Sequence, residues 1–332
     1  MQTKILSGKA RILAFAAVGG EMERDGPLSG CFDFLSDDQY FAQPTWERAE
    51  SEIQRRTFSI ACGKAGLSPS EVEAVFAGDL QSQSTASSFA MAENNASAYI
   101  GLYGACSTMA ESLGLAALLT DCGHFGNAAA VTSSHFCAAE RQFRLPLEYG
   151  GQRSKTSQWT ATAGGAVILQ SSDEPGIYVS SVTFGRIRDS GIKDPMNMGA
   201  AMAPAAYETL RSHFGDLSIE PDWYDLIVTG DLGDFGHSVV TELFAKDGIP
   251  LNNYNDCGRL IYDLETQDVC AGGSGCGCSA AVLCGYILRE MTKGTFKRVL
   301  FAGTGALMSS TSSAQGLSIP GICHAVALVS SL

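Results

Sequence analysis

The chain repeats itself, and the repeat constrains its fold more than any other feature. Glu73-Ala-Val-Phe-Ala-Gly-Asp-Leu80 returns as Asp225-Leu-Ile-Val-Thr-Gly-Asp-Leu232, and Gly165-Ala-Val-Ile-Leu169 returns as His324-Ala-Val-Ala-Leu328. Between these markers each copy carries a Gly/Cys-rich turn that opens an apolar helix. The turns are Gly104-Ala-Cys-Ser-Thr-Met109 and Gly273-Ser-Gly-Cys-Gly-Cys-Ser279. A strand follows each helix, at Asn127 to Thr132 and at Arg298 to Ala302. Solenoid units are shorter than this period, so the chain holds two copies of one fold. The 332 residues suit that reading at roughly 150 per domain. The expected halves are 1–172 and 173–332, joined at the turn-rich Ser172-Asp-Glu-Pro-Gly176.

Each half reads as a strand, an exposed polar loop, a strand, a buried helix and further strands. The helix after Cys106 is Ala, Leu and Gly on nearly every face through Leu119. A helix apolar all round is buried, here between two sheets. Ala128–Val131 and Ala166–Leu169 are continuous apolar runs, as sheets covered on both faces require. An α/β protein of five layers follows: helices, sheet, central helix pair, sheet, helices.

Composition excludes several classes. Hydrophobic residues make up 45% and charged residues 17%, the balance of a folded globule with a large core. A net charge of −13 argues against nucleic-acid binding, which needs a basic face. No apolar run approaches ~20 residues and no signal peptide opens the chain, so no membrane span is expected. The cysteine count of 11 is odd, which fits reduced thiols. Cys257, Cys270, Cys276, Cys278 and Cys284 cluster without a C-x-x-C pair, so they read as small buried thiols and no metal is expected. Gly273-x-Gly-x-Gly277 lacks the rest of a dinucleotide fingerprint, so no cofactor is expected either.

Tyr99-Ile-Gly-Leu-Tyr-Gly-Ala-Cys-Ser-Thr is a strand running into a sharp turn, with Cys106 at the helix start. A helix N-terminus can lower a thiol pKa below ~8.5, which suits a nucleophile or a ligand contact. A small buried cysteine packed beside glycine is the alternative.

At these residues the chain resembles the thiolase superfamily, ketoacyl-ACP synthases included, and within it the stage V sporulation protein AD family. The strings that carry the resemblance span nearly the whole chain. They are Gly-Ala-Cys-Ser-Thr (104–108), Thr132-Ser-Ser-His135, Ala-Glu-Arg-Gln-Phe-Arg (139–144), Glu148-Tyr-Gly-Gly-Gln152, Met198-Gly-Ala-Ala-Met-Ala-Pro-Ala-Ala206, Thr229-Gly-Asp-Leu232, Asn255-Asp-Cys-Gly258 and Ala271-Gly-Gly-Ser-Gly-Cys-Gly-Cys-Ser279. The resemblance implies a thiolase-like fold of duplicated αβαβα layers. It implies binding of dipicolinic acid, free or as its calcium chelate, and support of its uptake into the developing endospore. It also implies the other SpoVA membrane proteins as partners and a homodimer. The implied location is the forespore cytoplasm or the periphery of the spore inner membrane.

Condensing enzymes of this superfamily add two imidazole or amide groups to the cysteine, for oxyanion stabilisation and proton transfer. The first slot falls at Thr229-Gly-Asp231, where no histidine stands; His237 lies six residues further on. The second falls at Ser274, which cannot act as an imidazole base. Cys106 is thus expected to be a vestigial nucleophile without its partners. A ketoacyl synthase-like acyltransferase using Cys106 is the runner-up, and a regulatory scaffold with an empty pocket is the third reading.

The expected ligand site gathers Cys106, Ser134, His135 and His324, the two histidines at duplicated strand ends where open α/β folds place ligand groups. From Arg141 to Lys155 the chain carries Arg141, Arg144, Arg153 and Lys155 against one acid, Glu148. Arg141 or Arg144 is expected to reach a ligand carboxylate, with Tyr149 and Trp159 as stacking candidates.

Overall fold

Each copy carries the same succession of short apolar strands, and each folds them into the same order. The structure, a computed structural model, describes residues 1–93, 97–143 and 153–331. The first copy contains β1 (Thr3–Ile5), β2 (Ala10–Gly19), β3 (Phe34–Leu35), β4 (Ala74–Gly78), β5 (Ala98–Gly101), β6 (Asn127–Ser134), β7 (Trp159–Thr160) and β8 (Ala163–Ser171). Its helices are α1 (Glu21–Arg24), α2 (Trp46–Ala65), α3 (Thr85–Ala92), α4 (Thr108–Asp121) and α5 (Phe136–Phe143). The second copy contains β9 (Gly176–Phe184), β10 (Leu226–Thr229), β11 (Tyr254–Asp256), β12 (Gly273–Ser274), β13 (Arg298–Ala306) and β14 (Gly321–Ser331). Its helices are α6 (Met198–Leu217), α7 (Gly233–Lys246), α8 (Cys257–Leu260), α9 (Cys276–Val282), α10 (Leu288–Thr292) and α11 (Ser310–Ala314).

The first copy orders its strands β5-β4-β6-β8-β2 and the second β11-β10-β13-β14-β9. The pairing senses match position by position. β4 is parallel to β5 and β6, as β10 is to β11 and β13. β8 is antiparallel to β6 and β2, as β14 is to β13 and β9. The sequence reading treats the two sheets as separate layers. They also touch at one edge, where Arg11 and Ile12 of β2 pair with Tyr178 and Ile177 of β9.

The central layer is α4 with α9 and α10, the last two joined through a π-helical turn at Leu283–Ile287. Met109, Leu113, Val282, Leu283 and Leu288 of this layer share one buried core with Val167 of β8 and Val326 of β14. Two glycines permit the close approach of helix to sheet. A Cβ on Gly165 would lie 2.4 Å from the Ala280 carbonyl, and one on Gly303 would lie 2.7 Å from the Ala110 Cβ. The outer layers are α2 on the first sheet and α6 on the second, so the order is αβαβα. Both outer helices start on side-chain caps: Thr45 accepts from Arg48 N, and Asn197 accepts from Ala200 N.

Candidate functional site

Cys106 lies between β5 and α4, not on the helix itself: Ser107 caps α4 and the helix begins at Thr108. Ala105 adopts the left-handed backbone (φ 51°), which turns the chain sharply and buries the Cys106 side chain. Local hydrogen bonds fix the turn: Ser107 Oγ donates to Gly104 O at 2.7 Å, and Thr108 Oγ1 donates to Ala105 O at 2.6 Å.

The second copy supplies the other half of the site. Asp231 follows β10, fully buried. Its Oδ2 accepts from Gly275 N at 2.8 Å and Ser274 Oγ at 3.2 Å, and its Oδ1 accepts from Thr304 Oγ1 at 2.8 Å. The carboxyl group also lies near enough to the Cys106 thiol to act on it electrostatically. Burial, and then the Asp231 charge, push the Cys106 pKa well above the ordinary thiol value; donors at Gly275 and Ser274 offset only part of this. The expectation that a helix start would lower this pKa is therefore reversed, because desolvation outweighs the helix end. Burial raises the Asp231 pKa as well.

A second buried acid holds the Asp231 loop. Asp256 accepts from Leu232 N and Gly233 N, each at 2.9 Å. The first copy has a parallel arrangement at Asp79, which accepts from Gln81 N at 2.8 Å and Ser87 N at 2.7 Å. Burial raises the pKa of Asp79, and burial with the Asp79 charge raises that of Glu50. The repeated Gly-Asp-Leu string marked both loops, but only Asp231 reaches the sulfur.

Beside Cys106 is a cavity of about 30 Å³, walled by Leu80, Tyr103, Ala139, Phe143, Met198 and Met308 among others. A larger hollow of about 550 Å³ adjoins it, with Tyr103, Phe143 and Met308 common to both. Nothing in the sequence reading singled out Tyr103 or Phe143. The signal was available, since one stands three residues before Cys106 and the other ends the helix after His135.

None of the four other described residues expected at the site lines this cavity. Ser134 donates to Ala161 O at 2.6 Å and sits against Gly275 and Gly277. His135 is buried with Nε2 at 2.8 Å from Gln39 O, and burial lowers its pKa. His324 accepts from Gly185 N at 3.2 Å and packs edge-on to Phe184; burial brings its pKa to about 4. It occupies the face of β14 that carries Val326 and Leu328 into the central core. Arg141 pairs with Glu47 and lies over Trp46, because α5 turns that face to α2. Arg144 and Tyr149 lie outside the described residues. Trp159 is already used: Phe136 stacks on it at 3.7 Å, and the Arg153 guanidinium lies 4.8 Å from its ring centroid. Among the described residues, no three His, Cys, Asp or Glu side chains are grouped to hold a metal ion.

Comparison with known proteins agrees with this geometry. The family model described as stage V sporulation protein AD matches residues 1–329. The stage V sporulation protein AD of Bacillus subtilis (strain 168) is 40% identical over 327 residues, covering 98% of this chain and 96% of that one. Among solved structures, a variant of Xanthomonas campestris OleA superposes with a TM-score of 0.63 at 12% identity, covering 98% of each chain. The 3-oxoacyl-[acyl-carrier-protein] synthase III of Aquifex aeolicus VF5 gives 0.57 at 12% identity, over 96% of this chain and 99% of that one. These two likenesses establish a fold in common. With its doubled sheet order, its cysteine turn and a family match running almost end to end, the chain belongs to the stage V sporulation protein AD family.

Proposed function

We propose that this protein binds dipicolinic acid, as the free dianion or its calcium chelate, and supports its uptake into the developing endospore without catalysing a reaction. One observation carries the reading. The slot where a condensing enzyme keeps an imidazole holds Asp231, a fully buried carboxyl group beside the Cys106 thiol. Acyl transfer to cysteine needs a thiolate and a base to receive its proton. Here burial and the Asp231 charge push the thiol pKa up, away from the thiolate, and the slot holds a carboxyl group where an imidazole base would stand. A binding protein needs neither.

Retention of Cys106 at the start of the central helix favours a second reading, a condensing acyltransferase. One pair of measurements separates the two. Calorimetric titration with dipicolinate, alone and with equimolar calcium, should give saturable binding. Incubation with acetyl- and malonyl-thioesters and carrier protein should give no new carbon–carbon bond. Turnover above ~0.1 s⁻¹, against an enzyme median near 10 s⁻¹, would overturn the non-catalytic reading.

The partners in this proposal are the other SpoVA membrane proteins and a second copy of the chain. No helix among the described residues is long and apolar enough to cross a membrane, so attachment at the spore inner membrane would run through those partners. For the homodimer, the outer edge of β5, unpaired among the described residues, is the candidate seam. It ends the first sheet, and Tyr99 on it and Phe89 on α3 are 40% and 65% exposed. Light scattering on the intact protein tests this, and a monomer at all concentrations would remove the dimer.

A further inference from the structure

Far from Cys106 along the chain, the sheet opens where its two halves part. β2 pairs with β9 only at Arg11 and Ile12, and with β3 only at Val18 and Gly19. Between Ile12 and Val18 no strand among the described residues covers that side of β2. The register slips between Ile12 and Ala14, a β-bulge that bends the strand where it leaves β9. Ala17 is already satisfied: its N donates to Asp33 Oδ2 at 3.0 Å, and its O accepts from Asp33 N at 2.9 Å. The open edge is therefore Leu13 to Phe15.

This edge borders a hollow of about 330 Å³, walled by Leu13, Phe15, Ile177 and Ser330 among others, with Lys64 as its one charged lining residue. Ligand sites span roughly 300–1,000 Å³. The Ser330 hydroxyl is buried without a hydrogen-bond partner among the described residues. Lys64 Nζ donates to Phe15 O at 3.0 Å and to Asp33 Oδ1 at 2.7 Å, and Arg289 Nη2 donates to the same Oδ1 at 2.7 Å. One carboxylate thus serves two cations, which leaves an excess positive charge here in a chain of net charge −13. The acids nearest in sequence, Glu174 and Glu290, pair instead with Arg11 and Lys293. An anion is the complement. From Ile12 to Ala17 is five steps of ~3.3 Å, or roughly 16 Å. β9 closes one end of that span and Asp33 the other, so a long passing strand would collide at both ends, whereas a chain terminus fits.

We infer that this notch docks the extended C-terminal tail of a partner protein. The tail adds main-chain hydrogen bonds to the open edge of Leu13 to Phe15, and its terminal carboxylate accepts from Lys64. Side chains alternate along an extended segment, so apolar ones at the last and third-from-last positions enter the hollow. Strand addition of this kind draws affinity from the backbone and specificity from the pockets beside it. It also covers an edge that would otherwise invite unspecific pairing. The inference goes beyond the dipicolinate reading and does not depend on it.

Fluorescence anisotropy on the intact protein tests it with a labelled heptapeptide, Gly-Ser-Lys-Thr-Val-Thr-Val, carrying a free C-terminal carboxylate. Binding should be saturable. Amidation of the carboxylate removes a charge-assisted bond and should weaken binding at least ten-fold. N-methylation of the last three amides removes the donors to the edge and should weaken it at least ten-fold as well. Lys64→Met should cost roughly ten-fold, and Lys64→Arg should restore most of the affinity. Thermal melting checks both variants; if Lys64→Met melts early, the acid and amide peptides carry the test. Hydrogen exchange between Ile12 and Ala16 should slow when the peptide binds. No binding at about 1 mM peptide, equal binding of acid and amide, or protection elsewhere would overturn the inference. Decanoate binding more tightly than the peptide would make the hollow a fatty-acid site. Self-association abolished by the peptide would make a second copy the occupant. Either result also overturns the docked tail of a partner.

Discussion

Asp256 ties the loop beneath Cys106 to pH. Its carboxylate accepts four hydrogen bonds: from Thr229 Oγ1 at 2.6 Å, and from Leu232 N, Gly233 N and Gly258 N at 2.9 Å each. Burial nevertheless dominates and raises its pKa from 3.8 to about 7. The folded protein thus holds a proton that the unfolded chain releases. The stability from this group is fully present below pH 3.8 and is lost as pH rises through 7. At about 1.4 kcal/mol per pH unit, the whole interval amounts to about 4 kcal/mol, and the stretch from pH 5.5 to 8 to about 2 kcal/mol. Chemical denaturation at those two pH values measures it. Glu23, Glu50, Asp79 and Asp231 are buried acids whose pKa values also rise, so they add losses of the same sign in the parent. Asp256→Asn isolates one contribution. The amide does not titrate, so the variant should lose about 2 kcal/mol less than the parent over the same interval. Its absolute stability should be lower, because an amide donor now faces backbone N–H groups. Equal losses in parent and variant would refute the reasoning, since the proton would then be taken up elsewhere.

Two further outcomes follow from the core and the turn. Gly165→Ala places a Cβ against the Ala280 carbonyl and should lower stability by ~1–3 kcal/mol in the same denaturation assay. Cys106→Ala should fold, at a cost of ~1–2 kcal/mol; a melting shift above ~10 °C would make Cys106 chiefly structural.

The fold was legible because duplication is a statement about backbone. Two strands ending in Gly-Asp-Leu, two cysteine-bearing turns and two apolar helices specify the same layer order twice, whatever the side chains at the site do. The apolar runs Ala128–Val131 and Ala166–Leu169 are buried in β6 and β8, as two-sided coverage requires. The site was less legible because it depends on where side chains point at the strand ends. His135 follows β6, but α5 starts immediately after it, and the ring turns to Gln39 O. Arg141 belongs to a basic run in sequence, yet Glu47 on α2 neutralises it. The absent imidazole at Gly230 and Asp231 was readable as a gap. That the acid itself would sit beside the sulfur was not, because the approach of one to the other depends on how two distant loops meet.

That meeting breaks the pseudo-symmetry, and the break is testable. Asp79 and Asp231 occupy equivalent positions, but Asp79 spends its oxygens on its own loop through Gln81 N, Ser87 N and Ser87 Oγ. Asp231 also lies beside the Cys106 thiol of the other copy, where its charge raises the thiol pKa. Asp231→Asn keeps the shape and the acceptor for Gly275 N while removing the charge that opposes thiolate formation. A lower Cys106 pKa raises the thiolate fraction, up to ten-fold for each pH unit, so alkylation by iodoacetamide at pH 8 should speed up. Peptide mass spectrometry distinguishes Cys106 from the exposed Cys122. Asp79→Asn should destabilise the α3 loop and leave the Cys106 rate within about two-fold, since its hydrogen bonds stay within the first copy. Equal acceleration by both substitutions would mean that general loosening, and not the Asp231 charge, governs the thiol. No acceleration by Asp231→Asn would show that burial alone sets the thiol pKa, and the acid would then have no part in it.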